Sequence, residues 1–256
     1  MVRAWPVAGA VRIQAEAGSR DAAAHAIERM RFALNLDHDL VPFRRAFKRD
    51  PLLGPVLRRM PWLRPWRAAE PFQALAWAVT EQLIETERAW EIQRRLAWRY
   101  GRRSACGTLV DAPSAADLAA RSQPELQACD LSAGRSRALI DASRGVARGH
   151  VNLTRPADSR RRLLTIRGIG PWTVEKLGLH GQGDDDQLPA GDLAYIKLVG
   201  RLGGLGRRAT VEEVREFFAP YAPYAALAGI YLLNAPYAYG GRPLGLRGPA
   251  PAAARW

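Results

Sequence analysis

The segment IRGIGPW at residues 166–172 sets two glycines and a proline among apolar residues at the front of a helix that continues as WTVEKLGL. Gly168 and Gly170 permit backbone conformations that a Cβ would obstruct, and Pro171 suits the first helical turn. The opening N–H groups of such a helix have no partner within it. With the helix dipole they can hold one phosphate, and Arg160, Arg161, Arg162 and Arg167 place positive charge nearby. The same pattern also serves as an ordinary corner between two helices of an all-α core. Further along, Asp192 in LPAGD opens the helical pattern DLAYIKLVG, where Asp is well suited to cap the first turn. A rival acidic group, Asp184, Asp185 and Asp186 in GDDDQ, has no His or further acid at a familiar ligand spacing, and a solvated loop is expected there. His25, His38, His150 and His180 are scattered and show no zinc-hydrolase spacing. Cys106 and Cys129 are too few and too far apart for an iron–sulfur cluster or a structural zinc site, and read as ordinary small residues.

The elements that must position these residues are mostly helical. DAAAHAIERMRFALNL and the longer run EPFQALAWAVTEQLIETERAWEIQRRLAWRYG carry apolar residues at helical spacing, and Gly101 closes the second. Ser114 and Ser122 read as caps of short helices, another helix is expected after Gly134, and VEEVREFFAPYAPYAALAGIYLLNA predicts two more, broken at Pro220 and Pro223. Only residues 1–20 alternate well enough for a short strand or hairpin. From Gly240 the chain is too rich in Gly and Pro for a helix, and residues 240–256 are expected to form an irregular tail.

The chain of 256 residues has 48% hydrophobic and 25% charged residues and carries a net charge of +13. That composition fits one large core or two adjoining ones, and excludes a disordered or fibrous protein. The charge favours a polyanionic partner, nucleic acid or an anionic membrane surface, although the base is almost all Arg and partly reflects coding bias. No segment has the length and apolarity of a membrane span, and no secretory h-region opens the sequence, so no membrane partner and a cytoplasmic location are expected.

LLTIRGIGPWTVEKL followed by LPAGDLAYIK resembles the helix-hairpin-helix of the base-excision DNA glycosylase superfamily, and within it the DNA-3-methyladenine glycosylase II family. The resemblance extends roughly from Phe72 to Asn234, with PFQALAWAVTEQLIETERAWEIQRRLAWRYG similar to the segment that carries the family's wedge loop. It implies that Asp192 is the catalytic carboxylate, stabilising positive charge on the deoxyribose and orienting water. Members that also cut the backbone carry a Lys where Trp172 stands here, so a monofunctional enzyme is implied. An indole in the damaged-base pocket suits cationic N-alkylated purines. Gln82 and Leu83 fall at the wedge, Leu83 as the plug and Gln82 as a contact to the opposite strand. Arg167, Gly168, Gly170 and Thr173 fall at the DNA-binding hairpin. The carbonyls of Leu164, Ile166 and Ile169 match those that hold a sodium or potassium ion in the superfamily, while no cofactor is implied for catalysis. Lys176 departs from the pattern, standing one turn after Trp172 where better-known members have an aromatic. A solvated or snorkelling side chain is expected there, with a bifunctional glycosylase/lyase for oxidised or mismatched bases, acting through this amine, as the alternative.

The implied fold is mostly α and two-lobed, with the family's N-terminal β domain truncated or absent. Residues 1–20 would be a hairpin remnant, residues 72–187 the lobe with the helix-hairpin-helix, and residues 21–71 with 188–239 the lobe carrying Asp192. A monomer acting on damaged double-stranded DNA, bound across a basic cleft, is the expected arrangement. A non-catalytic DNA-binding module remains the other alternative.

Overall fold

The structure is a computed structural model and describes residues 1–235; the expected tail at 240–256 lies outside the described residues. The chain opens with strands β1 (Val2–Val7) and β2 (Ala10–Ala15), paired antiparallel with Val2 opposite Ala15 and Val7 opposite Ala10. Thirteen α-helices follow in the described residues. They are α1 (Arg20–Ala33), α2 (Val41–Phe47), α3 (Leu53–Arg59), α4 (Pro71–Glu81), α5 (Thr86–Tyr100), α6 (Ala115–Ala119), α7 (Gln123–Gln127), α8 (Ala133–Ala147), α9 (Pro156–Leu163), α10 (Pro171–Lys176), α11 (Leu193–Leu202), α12 (Val211–Phe218) and α13 (Ala225–Asn234). A π-helical turn, Leu177–Gln182, prolongs α10.

Local chemistry explains most boundaries. Ser114 and Ser122 each form a capping box, with Asp117 and Glu125 returning a side-chain oxygen to the cap backbone. Ser132 caps α8, which therefore starts just ahead of Gly134 rather than after it. The run from Glu70 to Gly101 is two helices, because the chain turns between Glu81 and Thr86. Pro220 and Pro223 separate α12 from α13 as expected, with a 3-10 turn, Ala219–Tyr221, between them.

Two compact units result. Among the described residues, one holds 1–37 and 66–182 and the other 38–65 and 183–235. This division departs from the sequence expectation in placing α1 with the helix-hairpin-helix instead of with Asp192. The reason is visible in its contacts: α1 packs on β1 and β2, Arg29 donates to the Ala69 carbonyl, and the Arg29 and Arg67 guanidinium groups lie 4.7 and 5.1 Å from the Phe32 ring centroid. The core of this first unit is built from Leu75 and Val79 of α4, Ile92 and Leu96 of α5, Leu118, Leu126, Leu139, Leu163 and Leu177, all sealed from water. Ala89, Ile92 and Leu96 recur at helical spacing, so α5 turns one stripe inward and keeps its Arg-rich face outside.

The second unit is aromatic. Phe43 packs its ring 5.4 Å from Tyr231 and 5.6 Å from Phe47, and Tyr231 donates its hydroxyl to the Leu63 carbonyl at 2.7 Å. The acidic loop belongs to this packing and is not simply solvated. Asp185 meets His38 Nε2 at 2.6 Å with side chains only 16% and 13% exposed, and Asp186 accepts the Ala225 N–H at 3.0 Å, capping the start of α13. These carboxylates are used as structural hydrogen-bond acceptors.

The two cysteines also differ from the uniform reading. Cys106 is exposed, with its sulfur 3.1 Å from the Ser104 hydroxyl and 3.0 Å from that of Thr108. Those hydrogen bonds, Ser104 first, lower its thiol to about 7, whereas burial pushes the Cys129 thiol up. At pH 7.5 iodoacetamide is expected to alkylate Cys106 rapidly, with the rate falling as pH drops through 7, and to leave Cys129 untouched until the chain unfolds. Equal labelling of both in the folded protein, read by peptide mass, would contradict this.

Candidate active site and DNA-binding hairpin

The Gly-rich turn joins α9 to α10. Its backbone is closed by Ile166 N–H to Leu163 O at 3.0 Å and Ile169 N–H to Ile166 O at 3.0 Å, with Ile169 buried beneath. The two glycines have different reasons to be there. Gly168 has φ +89, and a Cβ on it would come 3.1 Å from the Ala138 Cβ. Gly170 is the N-cap of α10 with φ −107, and a Cβ there would meet nothing within 4 Å. Gly170 is therefore not required by the protein's own packing, and the space beside it is open on the outside. Of the nearby basic residues, Arg161 and Arg162 share Asp158 at 2.7 and 3.0 Å, while Arg167 is exposed on the turn itself.

The loop at Gln82 and Leu83, expected as the wedge, is tied to this turn. Gln82, the C-cap of α4, donates its amide nitrogen to Gly168 O and to Thr173 Oγ1, both at 2.9 Å. Gln82 thus anchors the loop to the hairpin, and a contact with DNA would have to use its amide oxygen. Thr173, expected among the DNA contacts, is only 1% exposed, and its hydroxyl accepts from Gln82. Its side chain holds the hairpin in place instead of reaching outward, because the first turn of α10 folds it beneath Gln82. Leu83 behaves oppositely: it is fully exposed and has φ +55, a left-handed conformation that a leucine adopts at a cost.

Trp172 is half-buried on α10, and Lys176 lies one turn on with its ammonium 5.2 Å from the Trp172 ring centroid. Lys176 is not solvated. Its Nζ lies 2.5 Å from Glu81 Oε2, the two side chains being 16% and 21% exposed. Gln93 Nε2 donates to Glu81 Oε1 at 3.3 Å and to Thr80 Oγ1 at 3.0 Å, which extends the network into α5. Sequence reasoning missed Glu81 and Gln93, since nothing in EQLIE indicates a partner on a helix some ninety positions later. A second missed pair is His180 on the π turn, stacked 4.1 Å from Trp66 and pushed down to about 4 chiefly by burial.

Asp192 sits in the second unit as the N-cap of α11. Its Oδ1 accepts the Ala194 N–H at 2.9 Å, and its own N–H donates to Pro189 O at 2.8 Å. Both the capping role and a fixed carboxylate are therefore present in one residue, which is half-buried. A carboxylate held by its own helix cannot swing away as charge develops nearby, which is what electrostatic stabilisation of a cation requires.

Residues 76–223 match the model of the HhH-GPD superfamily of base excision DNA repair proteins, a span that includes Gln82, Leu83, the Gly-rich turn and Asp192. The chain belongs to that superfamily. The DNA-3-methyladenine glycosylase of Bacillus subtilis is 26% identical over 210 residues, covering 79% of this chain and 69% of the relative. The 3-methyladenine DNA-glycosylase of Archaeoglobus fulgidus has a similar fold, with a TM-score of 0.76 at 21% identity over 91% of this chain and 80% of that one. The Schizosaccharomyces pombe 3-methyladenine DNA glycosylase, solved in complex with abasic DNA, gives 0.59 at 24% identity over 71% of this chain and 92% of its own. As an HhH-GPD protein the chain is mostly α, and β1 and β2 are its only strands in the described residues.

Proposed function

We infer that the protein is a monofunctional DNA glycosylase that hydrolyses the N-glycosidic bond of alkylated purines in double-stranded DNA, acting as a monomer. The observation that carries the reading is that one HhH-GPD chain has an indole at position 172, in place of a nucleophilic amine, and a helix-capping carboxylate at position 192. In this reaction the bond between C1′ and the purine nitrogen breaks, its electrons leave with the base, and positive charge appears on the sugar. Asp192 stabilises that charge and orients the water that adds to C1′, leaving an abasic site. A purine already cationic through alkylation is a good leaving group, so no strong general acid is needed, and its charge is attracted to the face of Trp172. Leu83 fills the gap left in the stack, and Arg167 with the backbone at Gly168 and Gly170 grips a phosphate.

The hairpin carbonyls of Leu164, Ile166 and Ile169 suit a sodium or potassium ion. Three neutral oxygens match a monovalent charge better than a divalent one, and the Ile166 oxygen, already accepting from Ile169, keeps a second lone pair. Such an ion would add positive charge beside the phosphate. Lyase chemistry through Lys176 finds no support, since its ammonium is held by Glu81.

Release of 3-methyladenine or 7-methylguanine from methylated duplex by the wild-type protein tests the reading, with borohydride expected to trap no covalent adduct. Tight binding without any base release would defeat it. The hairpin glycines give a second test. Gly168→Ala should lower stability by about 1–2 kcal/mol through its left-handed backbone. Gly170→Ala should stay within about 1 kcal/mol of wild type yet weaken duplex binding severalfold. Unfolding curves and binding at one fixed salt concentration separate the two, and equal binding by Gly170→Ala and wild type would remove Gly170 from the DNA contact.

A further inference from the structure

The most organised polar group of the hairpin unit that the reaction leaves unused is the pair formed by Lys176 and Glu81. Its ammonium lies on the Trp172 ring and its carboxylate closes the last turn of α4, just ahead of Gln82 and Leu83. Gln93 holds the second carboxylate oxygen, so both charges are fixed with little exposure.

We propose that Lys176 and Glu81 together set the charge preference of the damaged-base pocket, Lys176 opposing a cationic base at Trp172 and Glu81 offsetting that opposition. The proposal rests on the reading of Trp172 as a wall of that pocket. An ammonium over an indole draws on the same negative π face that would attract a cationic purine, and it repels a second cation directly. Glu81, in contact with the ammonium, cancels most of that repulsion at the distance of a stacked base. The pair is thus nearly neutral as a whole, and removing either half unmasks the other. With Lys176 uncharged, the fixed Glu81 carboxylate that had contacted the ammonium beside the indole is left unneutralised and favours a cationic base. With Glu81 uncharged, a bare ammonium disfavours it. A pair that only held α4 to α10 would slow the reaction in both cases.

The test is single-turnover release of 7-methylguanine from a defined duplex by wild type, Lys176→Gln, Glu81→Gln and the double variant, with binding to undamaged duplex and thermal unfolding measured alongside. Lys176→Gln should be roughly 5- to 10-fold faster than wild type and Glu81→Gln slower by a similar factor, with the double variant between them. Should Lys176→Gln not fold, Lys176→Met removes the same charge while filling the space. Slower release by both single variants, or rates for both within about twofold of wild type, overturns the proposal and leaves the alkylpurine reading standing. Absence of release by the wild type overturns that reading, and this proposal with it.

Discussion

Asp192→Asn is expected to lower the rate of base release by about 10³-fold, close to 4 kcal/mol of transition-state stabilisation, with almost no change in unfolding temperature. The asymmetry follows from the two tasks of this side chain. As N-cap it needs only an oxygen that accepts the Ala194 N–H, and Asn supplies one of equal quality. As the proposed stabiliser of a cationic sugar it needs a full negative charge, which Asn lacks. Asp192→Ala separates the tasks further, since it should lose the same activity and in addition about 1 kcal/mol of stability from the missing cap. Single-turnover base release and thermal unfolding of the three proteins on one methylated duplex give the answer. An Asn variant within tenfold of wild type would show that the carboxylate is only a cap.

What is legible in the sequence depends on how local the cause is. Capping serines, the proline breaks and the Gly-rich turn are written within a few residues, and Ser114, Ser122, Pro220 and Gly168 act where the sequence places them. Asp192 as a helix cap was legible for the same reason. Contacts between distant segments were not. The burial of Thr173 under Gln82, the capture of Lys176 by Glu81 and the docking of Asp185 on His38 all join residues far apart in sequence, and no periodicity encodes them. The same holds for α1, whose helical pattern was plain but whose partner depended on Arg29 and Phe32 meeting the segment after Trp66. The two glycines looked alike in sequence, and only the backbone angles show that one answers to the fold while the other leaves open space.

Leu83 is where stability and activity are expected to move in opposite directions. Gln82 has φ −58 and ψ 121, and Leu83 follows with φ +55, the pattern of a type II turn whose third position favours Gly. A leucine there costs about 1–2 kcal/mol of backbone strain, and its side chain is fully exposed, so it gives nothing back to the folded protein through packing. Leu83→Gly should therefore raise stability by about 1 kcal/mol. The same change should slow base release. Inserting the leucine into the vacancy left by a flipped base removes its apolar surface from water, worth about 1.5–3 kcal/mol, which corresponds to roughly 10- to 100-fold in the flipped population. Leu83→Ala keeps the strained turn and loses most of the plug, so it should be slow without being stabilised. The deficit should shrink for a lesion that is already unpaired in a bulge, because less unstacking then has to be offset. Unfolding curves and single-turnover rates on paired and bulged duplexes decide the matter: a Leu83→Gly protein as fast as wild type on the paired duplex would mean that the strain at this turn serves something other than base flipping.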